Sequence, residues 1–361
     1  MRILGFLLLL LALGCQKTAP LAIQSILATD SVTDDPDDPA VYIHPWDPSR
    51  CLIIGTNKVP APKGALLVFG LDGKVRQTID NLDRPNNVDI EYGFMLNGRP
   101  ADIAAVTERL KRRLRVFRIE PGGTLTDVSS PKGLDVFEDE AGEKGAPMGI
   151  SLYRRPGDGA IYAIVSPKTG PSDGYLGQYL LSDDGTGKVK ATMVRRFGRF
   201  SGRTEIEAIA VDDALGYVYY ADEGDGIHKY HADPDHPEAA LELAHFGQEG
   251  FRADREGIGI YACDDGTGYI LCTDQLAGNS EYHIYRREGS PGRPHDHSEL
   301  LKVVGGGADA TDGLEVTSAA AGPFFPNGLM VAMNSGPKNF LVFRWEDVAN
   351  AGPVKLKASR K

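Results

Sequence analysis

Arg203 to Tyr230, RTEIEAIAVDDALGYVYYADEGDGIHKY, alternates apolar runs with turns rich in Asp and Gly. Ile206 to Val211 reads as one strand, Asp212 to Gly216 as a turn and Tyr217 to Ala221 as a second strand. Asp222 to Gly226 turns again, and Ile227 to Tyr230 is a third strand. Asp and Gly accept the backbone angles that tight reversals need. Glu207 stands at the start of the first strand and Glu223 just past the end of the second. Antiparallel pairing brings those two points to the same edge of a sheet.

The same unit recurs along the chain with a period of roughly 50 to 60 residues, within the range of propeller blades. Unit one opens at Asp37-Asp38, with further strands at Cys51 to Gly55 and Ala65 to Gly70. Unit two opens at Asn86-Asn87-Val-Asp89 and continues through Ala101 to Val106 and Leu114 to Ile119. Unit three opens at Pro147-Met148 and continues through Ala160 to Val165 and Gly177 to Leu181. The quoted stretch is unit four. Unit five opens at Asp254-Arg255-Glu256 and continues through Gly268 to Thr273 and Tyr282 to Arg286. Unit six opens at Asp312 and continues through Gly328 to Met333 and Asn339 to Trp345. Segments such as Leu125 to Phe137 and Val189 to Phe200 supply outer fourth strands. Four-stranded meanders bury their faces by stacking radially, so the fold class expected is all-β, a six-bladed β-propeller. A sandwich is the alternative, and the long regular period argues against it. No helical periodicity is visible.

Composition sets the limits. The chain has 361 residues, 43 Gly and 23 Pro, which fits many short strands and turns, and a net charge of -11. An acidic chain without a basic stripe excludes nucleic acid as a partner unless a cation mediates, and it suits a protein that collects metal ions. Residues 1–14 read as a signal peptide: Arg2, an apolar run from Ile3 to Leu13, then Gly14. Ala12-Leu13-Gly14-Cys15 is similar to a bacterial lipobox, so cleavage before Cys15 and lipid on its thiol are expected, with ordinary secretion as the alternative. The membrane is then reached only through that anchor. The protein is exported and held at the outer membrane or cell surface, or is otherwise periplasmic or secreted. Residues 15–28 form a tether and an edge strand, Ile23 to Leu27, and 29–361 form one propeller domain. Cys51, Cys263 and Cys272 remain; Cys263 and Cys272 flank a hairpin turn and either pair across it or are small buried thiols.

Stacking the units aligns two ranks of polar residues at one mouth of the channel. At the inner-strand starts stand Asp37, Asp38, Asn87, Asp89, Glu207, Asp254, Glu256 and Asp312, with Met148 in unit three. At the ends of the second strands, offset by roughly 16 to 22 residues as two short strands and a turn require, stand Lys58, Arg109, Lys168, Glu223, Gln275 and Asn334. Any one acid at a strand start is more often a turn or cap residue, and a lone Lys or Arg a solvated charge. Alignment of both ranks carries the functional reading. Converging carboxylates with amide oxygens suit calcium. The Lys58, Arg109 and Lys168 side suits a phosphate or other oxyanion. Asp212-Asp213 and Asp264-Asp265 read as turn formers, and Glu108 with Lys111 to Arg115 as a solvated loop. His228 and His231 show no partner and receive no role. Pro294 to His297 reads as a loop rather than a weak metal site.

With these residues the chain resembles the β-propeller phytases, calcium-dependent enzymes that hydrolyse inositol hexakisphosphate. The matching pieces are Asp37-Asp38-Pro-Ala, Thr56-Asn57-Lys58, Asn86-Asn87-Val-Asp-Ile, Asp102-Ile-Ala-Ala, Glu205-Ile-Glu207, Ala221-Asp-Glu223, Arg255-Glu256-Gly and Thr311-Asp312-Gly. The resemblance implies several calcium ions, structural and catalytic. Asp37, Glu207, Glu223, Asp254, Glu256, Gln275 and Asp312 are the implied ligands at the active site. Asp38, Asn87 and Asp89 are ligands of these or of neighbouring ions. Lys58, Arg109 and Lys168 grip phosphate, and Glu207 or Glu223 orients the attacking water. The implied protein is a monomer acting on an inositol phosphate. The chain departs from the family at Val59, where a second Lys is common and Lys63 either replaces it or does not. It departs also at Met148, where Tyr is common, in a longer loop Thr169 to Leu176, and in the acid-poor Gly305 to Asp309. The alternatives are a calcium-dependent lactonase or esterase on a similar propeller, or a lipid-anchored scaffold without activity.

Overall fold

Six sheets, antiparallel apart from one short added strand, surround a central channel in the computed structural model, which describes residues 21–132 and 134–358. The signal peptide and Cys15 lie outside the described residues. Blade one runs through Pro36–Tyr42, Leu52–Asn57, Gly64–Gly70 and Val75–Leu82, from the channel outward. Blade two is Pro85–Leu96, Arg99–Glu108, Arg113–Ile119 and Leu125–Asp127. Blade three is Pro147–Arg154, Ile161–Pro167, Asp173–Asp183 and Val189–Arg199. Blade four is Ile209–Asp212, Tyr217–Asp222, Gly226–His231 and Ala244–Phe246, and blade five is Ile258–Ala262, Gly268–Asp274, Glu281–Arg286 and Leu300–Gly305. Blade six takes Leu314–Thr317, Leu329–Asn334 and Asn339–Arg344 from its own unit and borrows Leu27–Ala28 as its outer strand. The one described α-helix is Trp345–Asn350, where Trp345 stacks on Tyr261 with ring centroids 3.7 Å apart.

The single N-terminal edge strand expected at Ile23 to Leu27 is two strands instead. Leu21–Ala22 pairs in parallel with the outer strand of blade five, and Leu27–Ala28 pairs antiparallel with Val342 and Leu341 of blade six. Between them the chain steps from one blade to the next, with Ile23 N donating to Gly305 O and Ile26 N to Val342 O, each at 2.9 Å. Every described apolar cluster lies between neighbouring blades. Ile103 and Val116 of blade two, for example, share a cluster with Ile150, Ala163 and Tyr179 of blade three and with Phe137 of the connection between them. Neighbouring inner loops touch closely. A Cβ at Gly313 would lie 2.5 Å from Asp38 Cα, so only glycine fits there.

Two turn and loop expectations are corrected. Asp212 is no ordinary turn residue: its carboxylate takes both Nε and Nη2 of Arg287 at 2.5 Å, and both side chains are buried between blades four and five. Glu108 is buried too, paired with Arg113 at 2.6 Å and accepting from Asp83 N at 2.9 Å, while Arg112 donates to the carbonyls of Gly145 and Phe137. Pro294 to His297 is a loop, as expected, with His297 buried and its Nε2 3.1 Å from Lys229 Nζ. Cys263 and Cys272 are free thiols. Cys272 sits opposite Ile258, while Cys263 lies beyond the Ala262–Gly268 end of the same hairpin. Removing one member of a buried ion pair strands the other charge, so Asp212→Ala is expected to cost about 3–5 kcal/mol. A shift of the urea midpoint reads this out, and an unchanged midpoint would show that the pair contributes nothing.

Candidate functional site

One backbone hydrogen bond recurs at the same mouth of the channel. The amide that ends each second strand donates to a carbonyl in the loop entering the inner strand. The pairs are Lys58 N to Asp35 O (2.7 Å), Arg109 N to Arg84 O (3.1 Å), Lys168 N to Ala146 O (2.8 Å), Glu223 N to Glu205 O (3.2 Å) and Gln275 N to Asp254 O (3.0 Å). In blade six the same position, the residue just after the second strand, is held by Ser335, whose N donates to Asp309 O at 2.9 Å. Asn334 instead turns inward, its Oδ1 accepting from Asp309 N and its Nδ2 donating to Asn339. All six blades thus share one address, and Asn334, expected there from the sequence, stands one residue short of it.

The first rank stands just inside that line. In blades four, five and six the inner strands begin later than expected, so Glu207, Glu256 and Asp312 lie on the loops that lead into them. Lys58 Nζ is 2.5 Å from Asp37, 3.7 Å from Asp312 and 3.9 Å from Glu207, which draws acids from three blades around one ammonium. Gln275 Nε2 donates to Asp312. Ligand oxygens of Glu223, Asp254 and Glu256 lie within 4.8 Å of one another. Asp37 is fully buried, and its Oδ2 has no hydrogen-bond partner among the described residues. An all-oxygen donor set with an orphaned buried carboxylate oxygen fits calcium.

Asp38 and Asp89 stand deeper. Asp38 Oδ2 accepts from Val88 N of the next blade at 3.0 Å, and Asp89 Oδ2 accepts from Leu152 N at 2.6 Å and Ser151 Oγ at 3.0 Å. Asn87 lies beside Asp38 and accepts from Asn86. These residues line a cavity of about 180 Å³ along the channel, together with Glu91, Asp213 and Glu315. Asp213, expected as a turn former, therefore faces the channel at its other end. Glu91 and Glu315 were not singled out in the sequence; the period of two through Asn87, Asp89 and Glu91 is the signal that points to the first of them.

Opposite the acids, Arg109 donates to Asn86 Oδ1 at 3.4 Å, and Lys168 pairs with Glu205. Arg84 and Glu205 join this face; neither has a role assigned from the sequence, because each precedes the aligned position by two residues. Lys63 does not enter it; its ammonium is exposed and pairs with Asp34 at 3.2 Å. Burial and the neighbouring Arg84 hold Arg109 below its usual range. Burial and Arg109 do the same to Lys168, against the pull of Glu207 and Glu223. The acids are strained in the other sense. Burial, then Glu207 and Asp254, pushes Glu223 up to about 8. Burial, then Glu207 and Glu223, raises Glu256 well above the carboxylate range. Burial raises Asp37 likewise against Lys58, with Glu207 and Asp312 adding to it. Each face is short of the opposite charge.

The sign of the pH effect follows. Between its ordinary value of 4.5 and about 8, folded Glu223 holds a proton that the unfolded chain has released. Stability of the calcium-free protein therefore falls as pH rises through that window. Thermal melts at pH 5, 6.5 and 8 in chelator are expected to descend in that order, and saturating calcium is expected to flatten the series. The same slope with and without calcium would contradict this account.

A family model described as Phytase matches residues 15–357. The chain is 31% identical over 334 residues to a 3-phytase of Bacillus subtilis (strain 168), covering 88% of this chain and 81% of that protein. Among solved structures, a calcium-binding regucalcin from Agrobacterium tumefaciens str. C58 superposes with a TM-score of 0.53 at 11% identity, over 94% of this chain and 99% of that one. That likeness speaks for the propeller fold alone.

Proposed function

The chain belongs to the phytase family and is an enzyme of that family, and from this we propose that it releases phosphate from inositol hexakisphosphate in a calcium-dependent reaction, leaving lower inositol phosphates. The observation that carries the reading is the two-sided mouth, with carboxylates around Lys58 on one side and Arg109 and Lys168 on the other. Asp37, Glu207, Glu223, Asp254, Glu256, Gln275 and Asp312 hold calcium, with Asp38, Asn87 and Asp89 extending the donor set down the channel. Calcium bound there supplies positive charge to phosphate oxygens and acidity to water. Glu207 or Glu223 accepts a hydrogen bond from the attacking water and aims it in line with the departing inositol oxygen. Lys58 and Arg109 donate to the phosphoryl oxygens, where negative charge is spread in the transition state. Lys168 holds a neighbouring phosphate of the same ring, which a multiply phosphorylated substrate offers and a simple ester does not.

Arg109→Ala is therefore expected to lower kcat/KM for inositol hexakisphosphate by about 10²-fold. Lys168→Ala is expected mainly to raise KM for that substrate, leaving a simple monoester unaffected. Phosphate release measured across calcium concentrations tests both. Absence of phosphate release from inositol hexakisphosphate at every calcium concentration, with turnover of a lactone, would overturn the reading.

A further inference from the structure

Blade four carries a second cluster, outside the channel. His228, on the third strand, lies directly across from His245 on the outer strand, and their rings stack with centroids 4.2 Å apart. Asp225, in the turn that leads into the third strand, points Oδ2 at both: 3.3 Å from His245 Nε2 and 4.0 Å from His228 Nε2. All three ligand atoms lie within 4.8 Å of one another. Gly226 makes the approach possible, since a Cβ there would stand 2.8 Å from His245 Nε2.

His228 is 2% exposed, and its Nδ1 contacts Glu242 Oε2 at 2.9 Å, which also accepts from the Tyr230 hydroxyl at 3.1 Å. A carboxylate on Nδ1 keeps the proton there and leaves a lone pair on Nε2. That Nε2 is buried without a hydrogen-bond partner among the described residues, and so is Nε2 of His245. A buried lone pair facing a carboxylate is repelled; a cation between them reverses the sign. Carboxylate–histidine–metal chains of this kind are the usual second layer of a transition-metal site. Bonds of roughly 2.0–2.2 Å in a tetrahedron separate ligand atoms by about 3.3–3.5 Å, near the 3.3 and 4.0 Å found here, but the two rings lie within 12° of parallel, so the more open His245 ring turns out of the stack for its Nε2 to meet the same ion as His228.

We propose that Asp225, His228 and His245 bind a transition-metal ion, zinc by donor type, separate from the calcium-type oxygen cluster at the mouth. Two imidazoles and one carboxylate suit zinc, where calcium prefers oxygen alone. The fourth position opens on a cavity of about 400 Å³ lined by Ser172, Arg199 and Ser201, room for water or a small anion. The ion ties the turn that carries Glu223 to the outer strand of the blade. Two other groups fit less well. Asp274 and Glu281 already pair with the Arg252 guanidinium, and His231 with His236 lies nearer the surface beside an exposed Glu238.

The test uses the full chain saturated with calcium, freed of zinc, and then given zinc or cobalt. One zinc per chain is expected to survive gel filtration, and cobalt is expected to give visible absorption bands of a low-coordinate nitrogen-ligated ion. His245→Ala, at the more open ligand, is expected to weaken zinc binding at least tenfold while leaving the calcium-dependent melting shift intact. His228→Gln gives the same loss if it folds. His236→Ala is expected to change nothing. Failure of the wild type to retain zinc, or retention undiminished in His245→Ala, or loss only in His236→Ala, would overturn the proposal.

Discussion

Excess chelator is expected to abolish phosphate release from inositol hexakisphosphate and to lower the melting temperature by roughly 10 °C. The reason lies in the mouth. Glu223, Asp254 and Glu256 bring their oxygens within 4.8 Å of one another, and Asp37 keeps an orphaned oxygen in a fully buried position. Without cations these groups either hold protons or repel. With calcium present, each site filled at about 100 times its dissociation constant adds about 2.7 kcal/mol to the folded state alone. A few such sites in a chain of this size move the midpoint by the stated amount. Activity falls further than stability, because the remaining Lys58 and Arg109 cannot by themselves neutralise a phosphoryl group. Calorimetry with and without chelator, beside a phosphate assay, measures both. An unchanged melting curve after exhaustive chelation would remove calcium from the account.

Lys58→Ala is expected to lower kcat/KM by about 10²–10³-fold and, in the same protein, to tighten calcium binding. The two effects point in opposite directions for one reason. Lys58 places an ammonium 2.5 to 3.9 Å from Asp37, Asp312 and Glu207, where burial disfavours its charge but those carboxylates outweigh burial and raise its pKa well above the usual value. It is a resident cation in the calcium-free protein and a competitor for calcium. Truncating it frees the three acids for metal while removing a donor to the phosphate. A purely structural lysine would show the reverse, weaker calcium binding and a lower melting temperature in calcium. Calorimetric titration of calcium into the variant separates these outcomes.

The repeat of apolar runs and Asp-Gly turns made the six blades legible before any coordinates, because a strand of five or six residues leaves a visible period. The ring closure was not legible in the same way. Leu21–Ala22 and Leu27–Ala28 are two-residue strands, too short to carry a period, and their partners stand some 280 to 315 positions away in sequence. Inner strands of blades four to six were read a few residues too early for a related reason. Glu207, Glu256 and Asp312 each stand two residues before the first paired residue, Ile209, Ile258 and Leu314, too near for the apolar pattern to mark the boundary. Buried ion pairs were hidden as well: Asp212 in a turn looks the same whether or not Arg287 comes to meet it. His228 lacked a visible partner because His245 arrives from another strand through cross-strand register. What could be read of the mouth was the rank of second-strand ends, since that rank depends on local strand length alone.

The recurring amide-to-carbonyl anchor at the ends of Leu52–Asn57, Arg99–Glu108, Ile161–Pro167, Tyr217–Asp222 and Gly268–Asp274 uses main-chain atoms only. This anchor therefore sets no condition on the side chain at these places. The rim works like a row of sockets whose fittings, now Lys58, Arg109, Lys168, Glu223 and Gln275, can be exchanged one at a time without loosening the wheel that carries them. Selectivity for differently charged esters becomes a matter of point substitution, reached without redesign of any blade.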